Sequence, residues 1–286
     1  MYNFNEVKGM LETKVFIEKK DLTGLKWSKI RNSSGTAGSY LKAYSEIGGK
    51  KLYYKLSNYD SINGVVGIES INEIIVDRLL TILGVEHLHY QLINADIIVD
   101  GKKLETFLCV SEDFKDKNED KIALDTYFDM EHSEEEDRLT FCKNRGWDDY
   151  VYKMFVVDYL ILNRDRHGAN IEVLRNKKKR TIRLAPLFDH GLSLMFNSFK
   201  QDELETFDVM EDKKVNSYLG SFSARDNLDL IPKDKLPQFN KLKESDKKVL
   251  FEDLKEVIGI PLIDKIWEMI FCRWRYYEDF CDKRMR

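Results

Sequence analysis

The chain has 286 residues and a formal net charge of −4, and its aliphatic, aromatic and charged residues occur in the proportions of a globular protein. This length allows one large domain or two lobes with a sizeable core, and the acidic balance gives no general signal for nucleic-acid binding. The cysteines lie far apart and form no CxxC pair, which makes a zinc site or a disulfide framework unexpected.

The N-terminal segment, MYNFNEVKGM, contains no apolar signal core. The longest apolar run, around Val156, is too short to span a bilayer and is interrupted by Asp158. We therefore expect a cytoplasmic protein in a reducing compartment, without a membrane partner. A protein that is exported as an effector without a cleavable signal would show the same sequence features, so this alternative stays open.

The first informative stretch is a run of small residues before a predicted β-hairpin. Its backbone N–H groups can form a nest that holds phosphate, although most such loops are simply turns. Tyr40–Tyr44 and Lys51–Leu56 are predicted strands, joined by a turn at Gly48-Gly49. The residues of the small-residue loop are Ser33, Ser34, Gly35, Thr36, Ala37, Gly38 and Ser39.

Lys55 lies on the second of these predicted strands. A helix is predicted after it, because apolar residues recur at helical spacing from Glu69 to Leu80. Among the carboxylates of this helix, Glu73 is our candidate partner for Lys55, and Glu69 is the alternative. Taken alone, Lys55 is also compatible with an ordinary exposed lysine on the surface of a strand.

A second β-hairpin is predicted from His89 to Val110, because the sequence alternates on both sides of the strong turn signal Asp100-Gly101. Charged residues follow from Ser111 onward. Beyond them the pattern is mainly helical, and Trp267 and Trp274 belong to an apolar stripe that we expect in the core. The helices are predicted over Glu134–Arg145, Asp148–Leu162, Lys241–Ile258 and Leu262–Arg284.

A polar loop with Asp165 and Asn170 follows the second of these helices. Ile171–Leu174 and Thr181–Ala185 then alternate as a β-hairpin, and Asp189 comes shortly after it. A hairpin brings its ends together, so the two carboxylates and the amide are expected around one point. Their oxygens suit magnesium. The alternative is a solvated loop whose acidic residues cap helices and turns.

Two motifs in this segment resemble those of known kinases. Asp165-Arg166-His167 with Asn170, and Leu187-Phe188-Asp189 after the hairpin, are similar to the HipA-like serine/threonine kinases of bacteria, above all to their small CtkA-type members. The loop is also similar to the DRHxxN motif of phosphatidylinositol 3-kinases. Their metal motif, DFG, is replaced here by Asp189-His190-Gly191.

The resemblance implies an α+β fold with the two lobes of a protein kinase. The N-terminal, nucleotide-binding lobe is expected to be rich in β-strands and to span residues 1–112. The C-terminal, catalytic lobe is expected to be mainly helical and to span residues 113–286. The connection between them would then lie at Glu112, where backbone groups are expected to contact the adenine of ATP.

The resemblance also implies that the protein is a serine/threonine kinase that uses ATP and Mg²⁺. Asn170 and Asp189 would bind magnesium, and Asp165 would orient the acceptor hydroxyl and accept its proton. His167 would either brace the loop or contact phosphate. Arg166 would form either a surface ion pair or an anchor for the loop.

In the N-terminal lobe, the resemblance implies that the loop from Ser33 to Ser39 covers the phosphates and that Lys55, oriented by Glu73, holds them. HipA-like kinases also phosphorylate a serine of their own phosphate loop, which makes Ser33 and Ser34 candidates here. A small antitoxin-like partner is a further expectation, while the protein substrate stays unknown and no direct nucleic-acid binding is expected.

Two other functions remain open from the sequence. A lipid kinase would fit DRHxxN, but it would favour a basic segment after Asp189, whereas Lys200 there is followed by Gln201-Asp202-Glu203. A pseudokinase that acts as a binding module would not need to retain Lys55 and Asp165. Turnover of ATP by the purified protein separates an enzyme from a binding module.

Overall fold

The computed structural model describes residues 13–29, 40–197 and 201–285 of the chain. Strands dominate the first half of these residues and helices the second half, which confirms the predicted α+β class. The strands of the first half are β1 (Lys14–Asp21), β2 (Ser28–Lys29), β3 (Leu41–Ile47), β4 (Lys50–Leu56), β5 (Tyr59–Asp60), β6 (Gly64–Val65), β7 (Gln91–Val99) and β8 (Lys102–Glu112).

Within the described part of the chain, one mixed sheet has the order β1-β7-β8-β4-β3-β2, and β5 pairs separately with β6. Strand β1 runs parallel to β7, and the other neighbours in the sheet are antiparallel. Lys42 on β3, Lys55 on β4 and Cys109 on β8 lie opposite one another in register. Side chains directly opposite in a sheet point to the same face, so these three residues form one row.

The predicted turn between β7 and β8 is present. Asp100 and Gly101 have φ angles of 50° and 78°. A two-residue turn with both central residues at positive φ matches the twist of the strands that it joins, and aspartate followed by glycine tolerates that conformation. The turn thus fixes the register in which Leu92 lies opposite Cys109.

Helix α1 (Glu69–Leu83) lies between the sheet and the C-terminal half of the protein. Nearly all of its side chains are buried, including polar ones. It ends at Gly84, whose φ of 74° lets its N–H reach the carbonyls of Leu80 and Thr81. The helix therefore belongs to the interior of the protein rather than to its surface.

The remaining elements form the helical half and a small sheet. Strand β11 pairs with both β9 and β12, and β10 pairs with β13. These strands are β9 (Glu119–Ala123), β10 (Asp165–Arg166), β11 (Glu172–Asn176), β12 (Thr181–Leu184) and β13 (Asn216–Ser217). The helices are α2 (Leu124–Glu131), α3 (Arg138–Asn144), α4 (Asp148–Leu160), α5 (Gln201–Thr206), α6 (Lys247–Leu250), α7 (Lys255–Ile258) and α8 (Ile260–Met285).

Two predicted helices differ from the structure. The helix expected from Glu134 begins only at Arg138, because the carboxylate of Asp137 accepts from the N–H groups of the next turn and caps the helix there. The helix expected over Lys241–Ile258 is broken into α6 and α7. Asp253 between them has a φ of 60°, which a right-handed helix cannot contain.

The apolar core is arranged in two main clusters. One cluster fills one face of the sheet, around Leu52, Tyr54 and Leu56 of β4. The larger cluster lies on the other side and runs from α1 through α4 to α8, where Trp267 and Trp274 are buried as predicted. In the described ranges, none of the helices is both long and apolar enough to cross a membrane.

Ile75 of α1 is fully buried in the larger cluster, whereas Ile62 is 87% exposed. Replacing a buried isoleucine by alanine removes packed methyl groups and leaves a cavity, so Ile75→Ala is expected to lower the free energy of unfolding by about 2–5 kcal/mol. Urea denaturation followed by circular dichroism measures the change. Ile62→Ala is the matched control, and equal losses in the two variants would contradict the placement of α1.

Candidate active site

A cavity of about 340 Å³ opens between the sheet, the start of α1 and the segment from Asp165 to Leu192. Both charged and apolar side chains line it, which is the usual character of a pocket for a small ligand. The lining residues are Tyr40, Leu41, Lys42, Lys55, Leu56, Glu69, Ser70, Glu73, Cys109, Asp165, His167, Ala169, Asn170, Glu172, Phe188, Asp189, Gly191 and Leu192.

Lys55 is the charged centre of this cavity. Leu56 and Tyr54 on either side of it point into the sheet's own core, so the alternation of the strand turns Lys55 towards α1. Its Nζ lies 3.1 Å from Oε1 of Glu73 and 3.1 Å from Oδ1 of Asp189. Burial opposes the charge on the ammonium, but the two carboxylates outweigh it and hold the pKa of Lys55 well above its ordinary value.

Glu73 connects Lys55 to the segment that contains Asp189. Its Oε1 accepts from Lys55, and its Oε2 accepts from the backbone N–H of His190 at 3.0 Å. Burial raises the pKa of Glu73, and the ammonium of Lys55 is the main group that opposes this rise. Glu69, the alternative partner from the sequence, instead accepts from the backbone N–H of Asn58 at 3.0 Å.

The loop with Asp165 and Asn170 is closed by its own hydrogen bonds. Nδ2 of Asn170 donates to the backbone oxygen of Asp165 at 2.7 Å, and the N–H of Asp165 donates to Oδ1 of Asn163 at 3.1 Å. His167 accepts from the N–H of Ala169 through Nδ1 at 3.2 Å, and its Nε2 lies 3.7 Å from Oδ2 of Asp165. His167 therefore braces the loop while it lines the cavity.

Arg166 points away from the cavity and is 1% exposed. Its guanidinium donates to Asp158 of α4 at 2.9–3.3 Å, to the carbonyl of Asn170 at 3.1 Å and to the carbonyl of Phe188 at 2.9 Å. Of the two roles left open by the sequence, the structure places Arg166 as the internal anchor. It ties the loop to the residue that precedes Asp189.

Asp189 is held in an unusual backbone conformation, with a φ of 59°. Aspartate visits this left-handed region more readily than most residues, and its N–H donates to the hydroxyl of Tyr90 at 3.3 Å. Although burial opposes ionisation, Lys55 and then Lys42, whose Nζ lies 3.8 Å from Oδ2, hold the pKa of Asp189 well below its usual range. Asp189 is thus a carboxylate that faces two ammonium groups.

The next residue, His190, occupies the position where the sequence departs from DFG. It is 2% exposed, and burial followed by the nearby charge of Arg166 lowers its pKa well below the ordinary value. The imidazole is therefore neutral. Its backbone rather than its ring makes the short contact with Glu73, since the ring Nδ1 lies 3.9 Å from Oε2.

Sequence patterns did not point to several residues of the site. Asn216 lies 51 positions after Asp165, yet its Nδ2 donates to Oδ1 of Asp165 at 3.1 Å because β13 pairs with β10. Glu172 lines the cavity, burial raises its pKa, and its buried Oε2 has no hydrogen-bond partner among the described residues. An alternating strand predicts a solvent-facing glutamate at this position, so only the packing reveals it.

Two predicted parts of the site are not in the cavity as described. Glu112 does not line it, and its carboxylate accepts from Lys50 at 2.8 Å at the end of β8. The small-residue loop from Ser33 to Ser39 lies outside the described residues. It stays a prediction that the lobe boundary lies at Glu112 and that backbone groups there contact adenine. The same holds for the prediction that the small-residue loop covers the phosphates.

Comparison with known proteins gives matches only at the level of structure. No protein-family model and no curated protein matches the chain. The chain is similar to the Helicobacter pylori proinflammatory kinase CtkA, with a TM-score of 0.60 and 16% sequence identity over 94% of this chain and 98% of that chain. This match confirms the kinase-like fold predicted above.

A second similar structure is HipA of Shewanella oneidensis, solved with HipB and operator DNA as a toxin–antitoxin system. The TM-score is 0.41, the sequence identity is 12%, and the match covers 90% of this chain and 65% of that chain.

Arg166 offers a test of how the site is held together. Arg166→Ala would leave Asp158 as an uncompensated buried charge, so we expect it to lower the free energy of unfolding by about 3–5 kcal/mol. Chemical denaturation measures the change. Arg180→Ala, in the exposed turn between β11 and β12, is the matched control and should stay within about 0.5 kcal/mol of the parent. A loss in Arg166→Ala as small as in the control would refute the anchoring role.

Proposed function

We propose that the protein is a Mg²⁺-dependent kinase that transfers the γ-phosphate of ATP to serine or threonine hydroxyls of proteins. The observation that carries the proposal is the meeting of Lys55, Asp165, Asn170 and Asp189 around one cavity. Phosphoryl transfer depends mainly on positioning and on compensation of phosphate charge. Ammonium, carboxylate and amide groups around one cavity are suited to both tasks.

Asn170 and Asp189 are the proposed magnesium ligands. Their side-chain oxygens are the hard ligands that magnesium prefers, and one or two carboxylates with phosphate oxygens usually suffice. Nδ2 of Asn170 already donates to the backbone of Asp165, so its Oδ1 is the amide atom that suits a cation. When bound, the ion would offset negative charge on the phosphates.

Lys55 is proposed to hold the phosphates of ATP. Glu73 restrains its ammonium from one side, and the hydrogen bond from His190 N–H restrains Glu73 in turn. Lys42 lies opposite Lys55 in the sheet and adds a second cation to the same face. The two ammonium groups make this wall of the cavity suited to an anionic ligand.

Asp165 is proposed to orient the acceptor hydroxyl and to accept its proton. Asn216 donates to Oδ1 of Asp165, which restrains the carboxylate and makes Oδ2 the oxygen better suited to the acceptor. The protein nature of the acceptor rests on the resemblance to HipA-like kinases. The same resemblance supports autophosphorylation at Ser33 or Ser34 and a small antitoxin-like partner.

The metal assignment predicts magnesium-dependent binding of nucleotide. A ligand at about 100 times its Kd adds about 2.7 kcal/mol to the free energy of unfolding, so ATP with Mg²⁺ should raise the melting temperature more than ATP with EDTA. Asp189→Asn should remove most of this magnesium-dependent difference. Differential scanning fluorimetry measures it, and Asp120→Asn, at the exposed residue of β9, is the matched control. A full magnesium response in Asp189→Asn would rule the assignment out.

The catalytic assignment predicts a different defect for Asp165. Asp165→Asn should keep the Mg²⁺–ATP melting shift but lower phosphate transfer by about 10²-fold or more, since a general base contributes about 10²–10⁴-fold. Incubation with radiolabelled ATP, followed by intact-mass and peptide mass spectrometry, measures transfer to the protein itself, including Ser33 and Ser34.

Asp120→Asn again serves as the matched control for this measurement. Transfer by Asp165→Asn at the parent rate would exclude Asp165 as the base. Binding of Mg²⁺–ATP without any transfer by the parent, to itself or to added protein substrates, would favour the pseudokinase instead.

A further inference from the structure

A second cluster of polar side chains lies outside the cavity, between α1 and the start of β7. Asp77 of α1 is fully buried, and its Oδ1 lies 2.8 Å from Nε2 of His87 and 3.0 Å from Nδ1 of His89. His87 has 3% of its side chain exposed and His89 has 37%. The mechanism proposed above uses none of these three residues.

The hydrogen bonds of His87 leave its second nitrogen facing another acceptor. Its Nδ1 lies 2.6 Å from the carbonyl oxygen of Val85, and a carbonyl can only accept, so Nδ1 carries a hydrogen. In the neutral imidazole, Nε2 then carries no hydrogen, and its lone pair faces the carboxylate of Asp77. Two acceptors at this distance require a cation between them, either a second proton or a metal ion.

Asp77 is prepared to serve as a ligand through one oxygen. Its Oδ2 accepts from the backbone N–H of Tyr90 at 2.7 Å, which leaves Oδ1 for the two histidines. A carboxylate oxygen is among the ligands that zinc-class ions bind.

The spacing of the three ligand atoms fits a metal centre. Two ligands that are each about 2.1 Å from a zinc-class ion, at the tetrahedral angle, lie about 3.4 Å apart. The distances from Oδ1 of Asp77 to the histidine nitrogens are 2.8 Å and 3.0 Å, and all three atoms lie within 4.8 Å of one another. An ion in place of the shared protons would therefore move each nitrogen away from Oδ1 by about half an ångström.

We infer that Asp77, His87 and His89 form a binding site for one divalent transition-metal ion of the zinc class. Two imidazole nitrogens and one carboxylate oxygen suit such ions, with further positions open to water. The bond from Nδ1 of His87 to Val85 is the outer contact that commonly orients a metal-bound histidine. The partly exposed side of His89 provides the entry path.

This site differs in chemistry from the proposed magnesium site. Asn170 and Asp189 offer oxygen atoms, whereas His87 and His89 offer nitrogen atoms that magnesium binds poorly. The inference therefore does not depend on the proposed function. A failure to bind zinc would leave the kinase proposal intact, and a failure to phosphorylate would leave the zinc site intact.

A bound ion would connect α1 with the segment before β7, and both elements contact residues that line the cavity. Asp77 lies one helical turn after Glu73, which holds Lys55. The segment that carries the histidines pairs with the backbone next to Asp189, since the N–H of Leu88 donates to the carbonyl of Leu187 at 2.8 Å. The ion would thus tie α1 to the segment before β7 that pairs with Leu187, two residues before Asp189.

The test uses the full chain after treatment with a chelator. Cobalt(II) replaces zinc at such sites, and its visible absorption reports nitrogen and oxygen ligands. We expect one equivalent of Co²⁺ to give a saturable spectrum that Zn²⁺ abolishes, and one equivalent of Zn²⁺ to raise the melting temperature. Mg²⁺ in excess should do neither.

His89→Ala is the decisive variant, because His89 is the most exposed ligand and the fold should tolerate its removal. We expect it to weaken Co²⁺ binding by about 100-fold or more, since removing a mere outer-shell partner already costs 10–100-fold. His132→Ala is the matched control, because His132 is exposed at the end of α2 and contacts Phe128 instead. Asp189→Asn should also keep full Co²⁺ binding.

Two results would overturn the inference. The first is the absence of a saturable Co²⁺ spectrum, which would mean that the cluster holds protons only. The second is equal Co²⁺ binding by His89→Ala and His132→Ala, which would mean an adventitious ion elsewhere, such as at the exposed Cys272.

Discussion

The burial of α1 is the constraint on which the rest of the structure depends. A helix buried on all sides must find an internal partner for each polar side chain. A buried polar group without a partner destabilises the fold by more than one hydrogen bond stabilises it. Asn72 donates to the carbonyls of Gly191 and Ser193, and Arg78 donates to carbonyls of the α6–α7 region. The polar side chains of α1 therefore fix where the C-terminal segments lie.

Glu73 extends the same constraint into the cavity. Its carboxylate is compensated by Lys55 from the sheet and by the N–H of His190 from the other side, so sheet, helix and loop share one charge cluster. Separating any of the three elements would leave a buried charge without a partner, which is strongly unfavourable. The geometry proposed to hold phosphate is thus the geometry that folding already requires.

Arg166 and Asp189 show how buried contacts also fix the conformation of the loops. Arg166 donates to acceptors from α4, the loop and the residue before Asp189. Asp189 keeps a left-handed backbone because Tyr90 and Lys55 hold it on both sides. A rare backbone conformation persists where several surrounding contacts fix it, and residues in such conformations concentrate at functional sites.

Local patterns in the sequence were sufficient to predict the elements that depend on neighbours in the chain. Alternation and turn residues predicted the hairpin before Asp189, and helical spacing predicted α1, so Asp165 and Asp189 were expected to meet. Contacts between distant segments were not predictable, because periodicity carries no information about which elements pack together. The bond from Asn216 to Asp165, the inward turn of Arg166 and the meeting of Asp77 with the two histidines all follow from tertiary packing. Only the folded chain decides these contacts, since each joins groups on different elements that burial forces to pair.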